Sequence, residues 1–109
     1  MSRSELVEMI VSCSSWQEAQ DIADSLLAKR LVGCVEFIDI KSKYRWQGAL
    51  HEASEVKLIM ESLATNFEAV EGEITKLHSY ETFVLQQLPI TRLSQPAAEW
   101  LITELKDKD

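Results

Sequence analysis

Residues 32–48 read VGCVEFIDIKSKYRWQG, and this stretch decides the fold because it predicts one long β-strand. Its β-branched and aromatic residues favour a strand, and the lost alternation at Phe37–Ile38 predicts a bulge or bend there. Gln47–Gly48 then predicts a hairpin turn. Residues 52–60 alternate between apolar and polar side chains, which indicates the returning strand of a β-hairpin.

The hairpin is flanked on each side by a predicted strand and a predicted helix. Residues 5–13 are apolar and β-branched enough for a strand that is buried on both faces. The segments Ser15–Glu18 and Thr65–Glu68 both have the form of a capping box, which predicts that a helix starts at each. Residues 80–88 predict a fourth strand, and Pro96 suits the first turn of a last helix.

The predicted order is β-α-β-β-α-β with an added C-terminal helix, in one domain that spans residues 1–109. This order is typical of the ferredoxin-like α+β sandwich, with strands in the order 4-1-3-2 and both main helices on one face of the sheet. The other face is expected to carry Val32, Ile38 and Ile40, so a second chain is the simplest cover for it. The second strand is also long enough to extend a neighbour's sheet, and together these features predict a homotrimer.

Composition and charge exclude several classes of protein. Of 109 residues, 46% are apolar and 27% are charged, which is typical of a globular chain. The formal charge of −7 disfavours binding to nucleic acid, which needs a basic footprint. No apolar run approaches the roughly 20 residues of a membrane span, so no membrane partner is expected. The N-terminal residues lack the apolar core of a signal peptide, and the expected location is the cytoplasm.

The most polar spot beside a predicted strand comprises His78, Tyr80 and Glu81, at the start of the fourth strand. This strand runs antiparallel to the first in the predicted sheet, so Cys13, at the end of the first strand, is expected near Tyr80. A thiol, an imidazole and a carboxylate suit copper or zinc, and the candidate metal ligands are therefore His78, Cys13 and Glu81. The alternative is a locally hydrogen-bonded histidine beside a solvated glutamate, without a metal.

A basic stripe and an aromatic pair follow the second strand on opposite faces. Lys41, Lys43 and Arg45 occupy alternate positions, so they share one face and could meet an anionic ligand or an acidic neighbouring subunit. The alternative is a solvated strand edge that discourages aggregation. Tyr44 and Trp46 lie on the other face and are predicted to be interface or core residues.

The sequence carries no familiar enzyme motif. A phosphate-binding loop, a G-x-S-x-G nucleophile motif and an H-E-x-x-H zinc motif are all missing from it. The two cysteines, Cys13 and Cys34, are not expected to pair, because a third strand separates theirs. We therefore expect a binding protein rather than an enzyme.

Several segments together resemble the CutA, or divalent-cation tolerance, family. Residues 27–35, LAKRLVGCV, resemble its L-x-x-x-L-x-A-C-V segment, and residues 44–48, YRWQG, resemble its Y-x-W-x-G hairpin. His78–Glu81, with the sequence HSYE, is similar to its H-P-Y-E motif, and Leu88–Ile90 is similar to the end of its last strand. The order and spacing of these segments carry the resemblance over roughly residues 5–105.

The resemblance implies a ferredoxin-like protomer in a tight homotrimer, similar in architecture to the PII signalling proteins. It also implies a role in tolerance of divalent cations, with copper binding proposed for some members. The sequence departs from the family in lacking both prolines and the second glutamate of H-P-Y-E-x-P-E, and Val11 and Leu77 replace two proposed ligands. The alternative function is a PII-like sensor that binds a small anionic metabolite in clefts between subunits, lined by Tyr80 and the basic stripe.

Overall fold

The computed structural model describes residues 5–105, so the ends of the predicted domain, residues 1–4 and 106–109, lie outside the described residues. In chain order the elements are β1 (Leu6–Cys13), α1 (Trp16–Ala28), β2 (Cys34–Trp46), β3 (Ala49–Leu63), a 3-10 turn (Ala64–Asn66), α2 (Phe67–Leu77), β4 (Leu85–Pro89) and α3 (Gln95–Glu104). None of the helices in the described part is long and apolar enough to cross a membrane.

The four strands form one sheet in the order β2-β3-β1-β4, and every neighbouring pair is antiparallel. Helices α1 and α2 both pack against one face of this sheet, because apolar residues of both helices share a core with β1 and β3. The strand order and the placement of the helices confirm the predicted ferredoxin-like sandwich.

The main core corrects two expectations about burial. Residues along β1 alternate between buried and half-buried, so burial on both faces is wrong for the single chain, in which α1 and α2 cover one face. Val32 is 2% exposed and belongs to this core rather than to the open face. It precedes the start of β2 at Cys34, so strand alternation does not determine where its side chain lies.

The β2–β3 hairpin is regular along its whole length, and the predicted bulge at Phe37–Ile38 is wrong. The register runs without interruption from Cys34 opposite Glu61 to Trp46 opposite Ala49. Phe37 packs against the core, whereas Ile38 faces the other side of the sheet. Both faces of β2 therefore carry apolar residues, so two consecutive apolar residues do not indicate a change in strand register here. The predicted turn is confirmed, with positive φ at both Gln47 and Gly48.

Strand β4 is shorter than the sequence indicated. It spans Leu85–Pro89 rather than residues 80–88, and residues 80–84 form a loop without strand pairing. The backbone N–H of Tyr80 donates to the side chain of His78 instead of to a neighbouring strand. The helix expected from Thr65 also begins later, at Phe67. The late start of β4 leaves a seven-residue connection after α2, residues 78–84, which contributes His78 to the candidate site.

Helix α3 packs on the end of the sheet and forms a second, smaller core. Leu101 and Leu105 are buried there against Leu63. A Cβ atom on Gly33 would lie 2.5 Å from Cδ2 of Leu101, so a larger residue at this position would force the Leu101 side chain to shift. The guanidinium group of Arg30 donates to the last carbonyl groups of the helix, which fixes its C-terminal end.

Candidate metal site and adjoining pocket

Three potential metal ligands converge at one end of the sheet: Cys13, Glu18 and His78. One ligand atom from each lies within 4.8 Å of the other two. Cys13 is the last residue of β1, Glu18 lies in the first turn of α1, and His78 directly follows α2. The fold brings these three positions together because β1 leads into α1 at the same end at which α2 returns towards β4. We call them the Cys13–Glu18–His78 cluster.

His78 is held by hydrogen bonds at both ring nitrogens, and its side chain is fully buried. Its Nε2 atom lies 2.8 Å from the carbonyl oxygen of Ser12. A carbonyl oxygen only accepts, so we assign the ring proton to Nε2 and the lone pair to Nδ1. The Nδ1 atom accepts the backbone N–H of Tyr80 at 3.0 Å and lies 3.6 Å from Oε2 of Glu18. Nδ1 is therefore the nitrogen that faces the cluster.

Glu18 is the anionic member of the cluster. Its carboxylate accepts the Ser14 N–H at 2.8 Å, the Ser14 hydroxyl at 3.1 Å and the Ser79 N–H at 2.6 Å. Burial opposes ionisation of this group, but hydrogen bonds from Ser14 and Ser79, with a smaller contribution from His78, hold the pKa of Glu18 below its usual value. The carboxylate also ties the start of α1 to the segment that follows α2.

Cys13 is a protonated thiol at neutral pH. Its side chain is completely buried. Burial, reinforced by the nearby carboxylates of Glu18 and Glu55, raises the pKa of Cys13 from 9.0 to about 12. An ion that bound here would have to displace the thiol proton, and the resulting thiolate together with Glu18 would balance a divalent charge.

The donor set fits copper or zinc. Sulfur and imidazole nitrogen are the ligand types that distinguish these ions from Mg²⁺, and a carbonyl group that fixes the histidine tautomer is a usual supporting contact of such sites. Three protein donors are one fewer than in a closed structural zinc site. The residues present therefore suit an ion bound less tightly than a structural zinc.

The structure unites two of the three predicted ligands and adds one that the sequence analysis missed. Cys13 and His78 lie together as expected, whereas Glu81 is exposed and lies outside the cluster. Glu18 takes the carboxylate position. A sequence signal for it existed, because the glutamate of a capping box places its carboxylate at the start of its helix, close to the end of the preceding strand.

A pocket of about 700 Å³ lies on the sheet face opposite α1 and α2. Its wall includes the rings of Tyr44, Trp46 and Tyr80, and Tyr44 stacks on His51 with 5.5 Å between ring centroids. The Tyr80 hydroxyl donates to Oε2 of Glu55 at 3.3 Å, and Glu55 is only 8% exposed. We call this space the aromatic pocket.

The charges around the aromatic pocket balance. Arg45 and Lys57 supply two cations, and Glu55 and Glu81 supply two carboxylates. Of the predicted basic stripe, Arg45 lines the pocket together with Tyr80, and Lys41 lines a separate shallow recess. Lys43 is highly exposed and lies 3.7 Å from a carboxylate oxygen of the equally exposed Glu52. The stripe is thus divided among three environments rather than concentrated on one ligand.

Tyr44 and Trp46 remain accessible in the single chain, at 40% and 45% exposure. Both lie on the open face of the hairpin, on the side opposite Lys41 and Lys43, as the uninterrupted register requires. They are therefore not core residues of the protomer, and their interface role stays a prediction.

The fold and the cluster define a ferredoxin-like protein with a candidate ion-binding site between its sheet and its helices. Residues 7–104 match the family described as CutA1 divalent ion tolerance protein, and the chain belongs to this family. The resemblance found in the sequence is thereby confirmed over almost all of the described residues.

Individual relatives agree with this assignment. The divalent-cation tolerance protein CutA of Archaeoglobus fulgidus is 33% identical over 91 residues, which are 84% of this chain and 89% of that protein. A solved structure of the periplasmic divalent cation tolerance protein CutA from the same organism matches with a TM-score of 0.90 at 30% identity, over 93% of this chain and 99% of that one. CutA1 from Oryza sativa matches with a TM-score of 0.92 at 22% identity, over 96% and 97% of the two chains, which shows the shared fold.

Proposed function

We propose that this chain acts in divalent-cation tolerance as a homotrimer that binds copper or zinc at the Cys13–Glu18–His78 cluster. The observation that carries the proposal is the convergence of a thiol, a carboxylate and an imidazole within 4.8 Å. Membership of a family named for divalent ion tolerance also supports a role in divalent-cation tolerance. Neither proline of the family's H-P-Y-E-x-P-E motif is needed to form this cluster, because Ser12 and Glu18 hold His78 and Ser79 in place.

The trimer is supported by the shape of the sheet. Strand β1 pairs with β3 only as far as Cys13 opposite Val56, whereas the β2–β3 ladder continues to Trp46 opposite Ala49. The far end of the hairpin therefore projects beyond its own sheet, with exposed apolar residues such as Leu50 and Trp46. A projecting ribbon can pair with a neighbour's edge, and cyclic closure would cover the open faces of all protomers.

In this proposal the chain binds an ion but catalyses no reaction, and it does so in the reducing cytoplasm. A buried Cys13 with a pKa near 12 is a poor nucleophile at neutral pH, and both ring nitrogens of His78 are engaged in hydrogen bonds. Reducing conditions suit the site because ion binding requires Cys13 as a free thiol, and both cysteines are free.

A second candidate is a sensor that binds a small anionic metabolite in the aromatic pocket. Arg45 and Lys57 favour it, since both cations line a space large enough for a small molecule. Glu55 and Glu81 line the same space and oppose it, because they cancel the positive charge. The metal-binding proposal is preferred for this reason.

Calorimetric titration with zinc, and with copper under anaerobic conditions, tests the proposal. Wild type should bind about one ion per chain with micromolar affinity, and Cys13→Ser should weaken binding at least tenfold. Cys34→Ser is the matched control, because Cys34 is also a free thiol but lies outside the cluster, and its titration should equal that of wild type. Identical curves for all three proteins, or no binding by wild type, would remove the cluster as a metal site.

Light scattering of the same samples tests the trimer separately. The expected mass is three times the 12.4 kDa of the chain at micromolar concentration. A mass equal to that of one chain would contradict the trimer while leaving the titration result unaffected.

A further inference from the structure

Tyr80 connects the Cys13–Glu18–His78 cluster to the aromatic pocket. Its backbone N–H donates to Nδ1 of His78 at 3.0 Å, and its hydroxyl donates to Oε2 of Glu55 at 3.3 Å. Its ring also packs on that of His78, with 5.1 Å between centroids. One residue therefore holds the histidine of the cluster with its main chain and the buried carboxylate of the pocket with its side chain.

The hydrogen bond from Tyr80 and a metal ion compete for the same lone pair. Nδ1 of an Nε2-protonated imidazole has a single in-plane lone pair, and the Tyr80 N–H occupies it. Nε2 is committed to the carbonyl of Ser12, and Nδ1 is the nitrogen that faces Glu18 at 3.6 Å. An ion that enters the cluster must therefore displace the N–H of Tyr80.

The segment that contains Tyr80 can shift without breaking a strand pair. Residues 80–84 lie between α2 and β4, and β4 starts only at Leu85. Movement of the Tyr80 main chain away from Nδ1 would carry its ring with it. The bond from the hydroxyl to Glu55 is already long at 3.3 Å, so a small displacement of the ring breaks it.

We propose that the cluster and the aromatic pocket are coupled through Tyr80: a cation on Nδ1 of His78 displaces Tyr80 and frees the carboxylate of Glu55 in the pocket. The coupling rests on the proposed function, since it requires an ion at the cluster. Once freed, Glu55 is a largely buried carboxylate beside aromatic rings. The ion-loaded protein should then favour a pocket ligand that carries an ammonium group, which such surroundings recognise.

Thermodynamic reciprocity makes the coupling measurable without knowing the pocket ligand. If ion binding breaks the bond between Tyr80 and Glu55, that bond stabilises the ion-free state and weakens ion affinity. Tyr80→Phe removes the hydroxyl and keeps the ring, so it should bind zinc about two- to tenfold more tightly than wild type. Tyr44→Phe is the matched control, since Tyr44 lines the same pocket but stacks on His51, and its zinc affinity should equal that of wild type.

A spectroscopic readout separates coupling from a structural effect of the variant. Zinc should shift the side-chain carboxylate ¹³C resonance of Glu55 in wild type and in Tyr44→Phe, because the Tyr80 hydroxyl leaves it. The shift should be much smaller in Tyr80→Phe, in which that bond is absent before zinc is added.

The possible failures can be told apart. Zinc binding with equal affinity in all three proteins and a stationary Glu55 resonance would overturn the coupling and leave the metal site intact. Weaker zinc binding by Tyr80→Phe would also overturn it, because the hydroxyl would then support the ion-bound state. No zinc heat in any of the three would refute the proposed function, and the coupling with it.

Discussion

The Nε2 atom of His78 lies 2.8 Å from the carbonyl oxygen of Ser12, and this contact determines the chemistry of the cluster. It places the ring proton on Nε2 and leaves the lone pair on Nδ1, the nitrogen that faces Glu18. Cys13, by contrast, must lose its proton to become a ligand. Binding of an ion to the cluster is therefore expected to release the proton of Cys13.

The first prediction concerns protons released on zinc binding. Because the pKa of Cys13 is about 12, the thiol is protonated at pH 7 to 9, and each zinc bound should release about one proton. Affinity should consequently rise about tenfold per pH unit in that range. Calorimetry in buffers with different ionisation enthalpies measures the released protons directly. Zinc binding by wild type without proton release would show that Cys13 is not a ligand, and Cys13→Ser should release none.

The second prediction separates Glu18 from Glu81 as the carboxylate ligand. Glu18→Gln keeps one acceptor oxygen, for the N–H group of either Ser14 or Ser79, and removes the negative charge, so zinc affinity should fall about tenfold or more while the fold persists. Glu81→Gln is the matched control, and its titration should be unchanged. The reverse pattern would restore Glu81, the ligand that the sequence favoured. Circular dichroism of both variants checks that α1 is retained.

The framework of the fold was predictable from residue patterns, and one failure shows the limit of those patterns. Periodicity, the capping box at Ser15 and the turn at Gln47–Gly48 located the elements, and their order alone predicted the strand order. The predicted bulge failed because alternation indicates register only where one face of a strand is apolar. Phe37 and Ile38 are both apolar because the two faces of β2 have different apolar environments.

The candidate site was only half predictable for a different reason. Antiparallel pairing brings Cys13 and the start of the fourth strand to one end of the sheet, which sequence order implies. Whether Glu18 or Glu81 joins the cluster depends on the path of the loop at residues 80–84. In this loop the Tyr80 N–H donates to His78, and Tyr80 does not belong to β4. That single hydrogen bond joins residues two positions apart, and the sequence carries no motif that signals it. Glu18 was recognised as a helix-capping residue, and its second role was therefore missed.

The third prediction concerns like charges on the open face of the sheet. Glu61 lies opposite Glu8 on β1 and opposite Cys34 on β2. Burial raises the pKa of Glu61 above its ordinary 4.5, and the carboxylates of Glu36 and Glu8 add to this effect. The folded state thus favours protonated Glu61. The destabilisation caused by the ionised Glu61 carboxylate is therefore absent below the ordinary pKa and grows as pH rises through the raised pKa.

Glu61→Gln should therefore increase the free energy of unfolding at pH 7 by about 0.5 kcal/mol, since like charges directly opposite each other in a sheet are destabilising. The gain should disappear at pH 4, where wild-type Glu61 is itself largely protonated. Thermal unfolding at both pH values measures the difference. Glu52→Gln is the control, because Glu52 is exposed beside Lys43 and should show no gain. Equal changes at pH 4 and pH 7 would contradict the electrostatic explanation.

The last prediction concerns Trp46 and the assembly of the trimer. Trp46 is 45% exposed at the end of the projecting hairpin, opposite Ala49, where only β2 and β3 pair. If the hairpin contacts a neighbouring subunit, its indole becomes a buried interface aromatic, and truncation of such residues often costs about 2 kcal/mol or more of binding free energy. Trp46→Ala should therefore dissociate at higher concentration than wild type and melt at a lower temperature.

A control with an equally exposed tryptophan tests whether position rather than residue type causes this loss. Trp16 is 46% exposed, but its indole N–H donates to Asp39 at 2.8 Å and its ring stacks on Phe37 within the same chain. Trp16→Ala should lower the melting temperature of the protomer without changing the mass measured by light scattering on dilution.

Zinc affinity of Trp46→Ala, normalised to folded protein, should stay within about twofold of wild type, because Trp46 lines the aromatic pocket and not the cluster. A fully trimeric Trp46→Ala variant with an unchanged melting temperature would contradict this prediction. Trp46 would then contribute nothing to the free energy of subunit association, and the intersubunit contact would lie elsewhere on the open face.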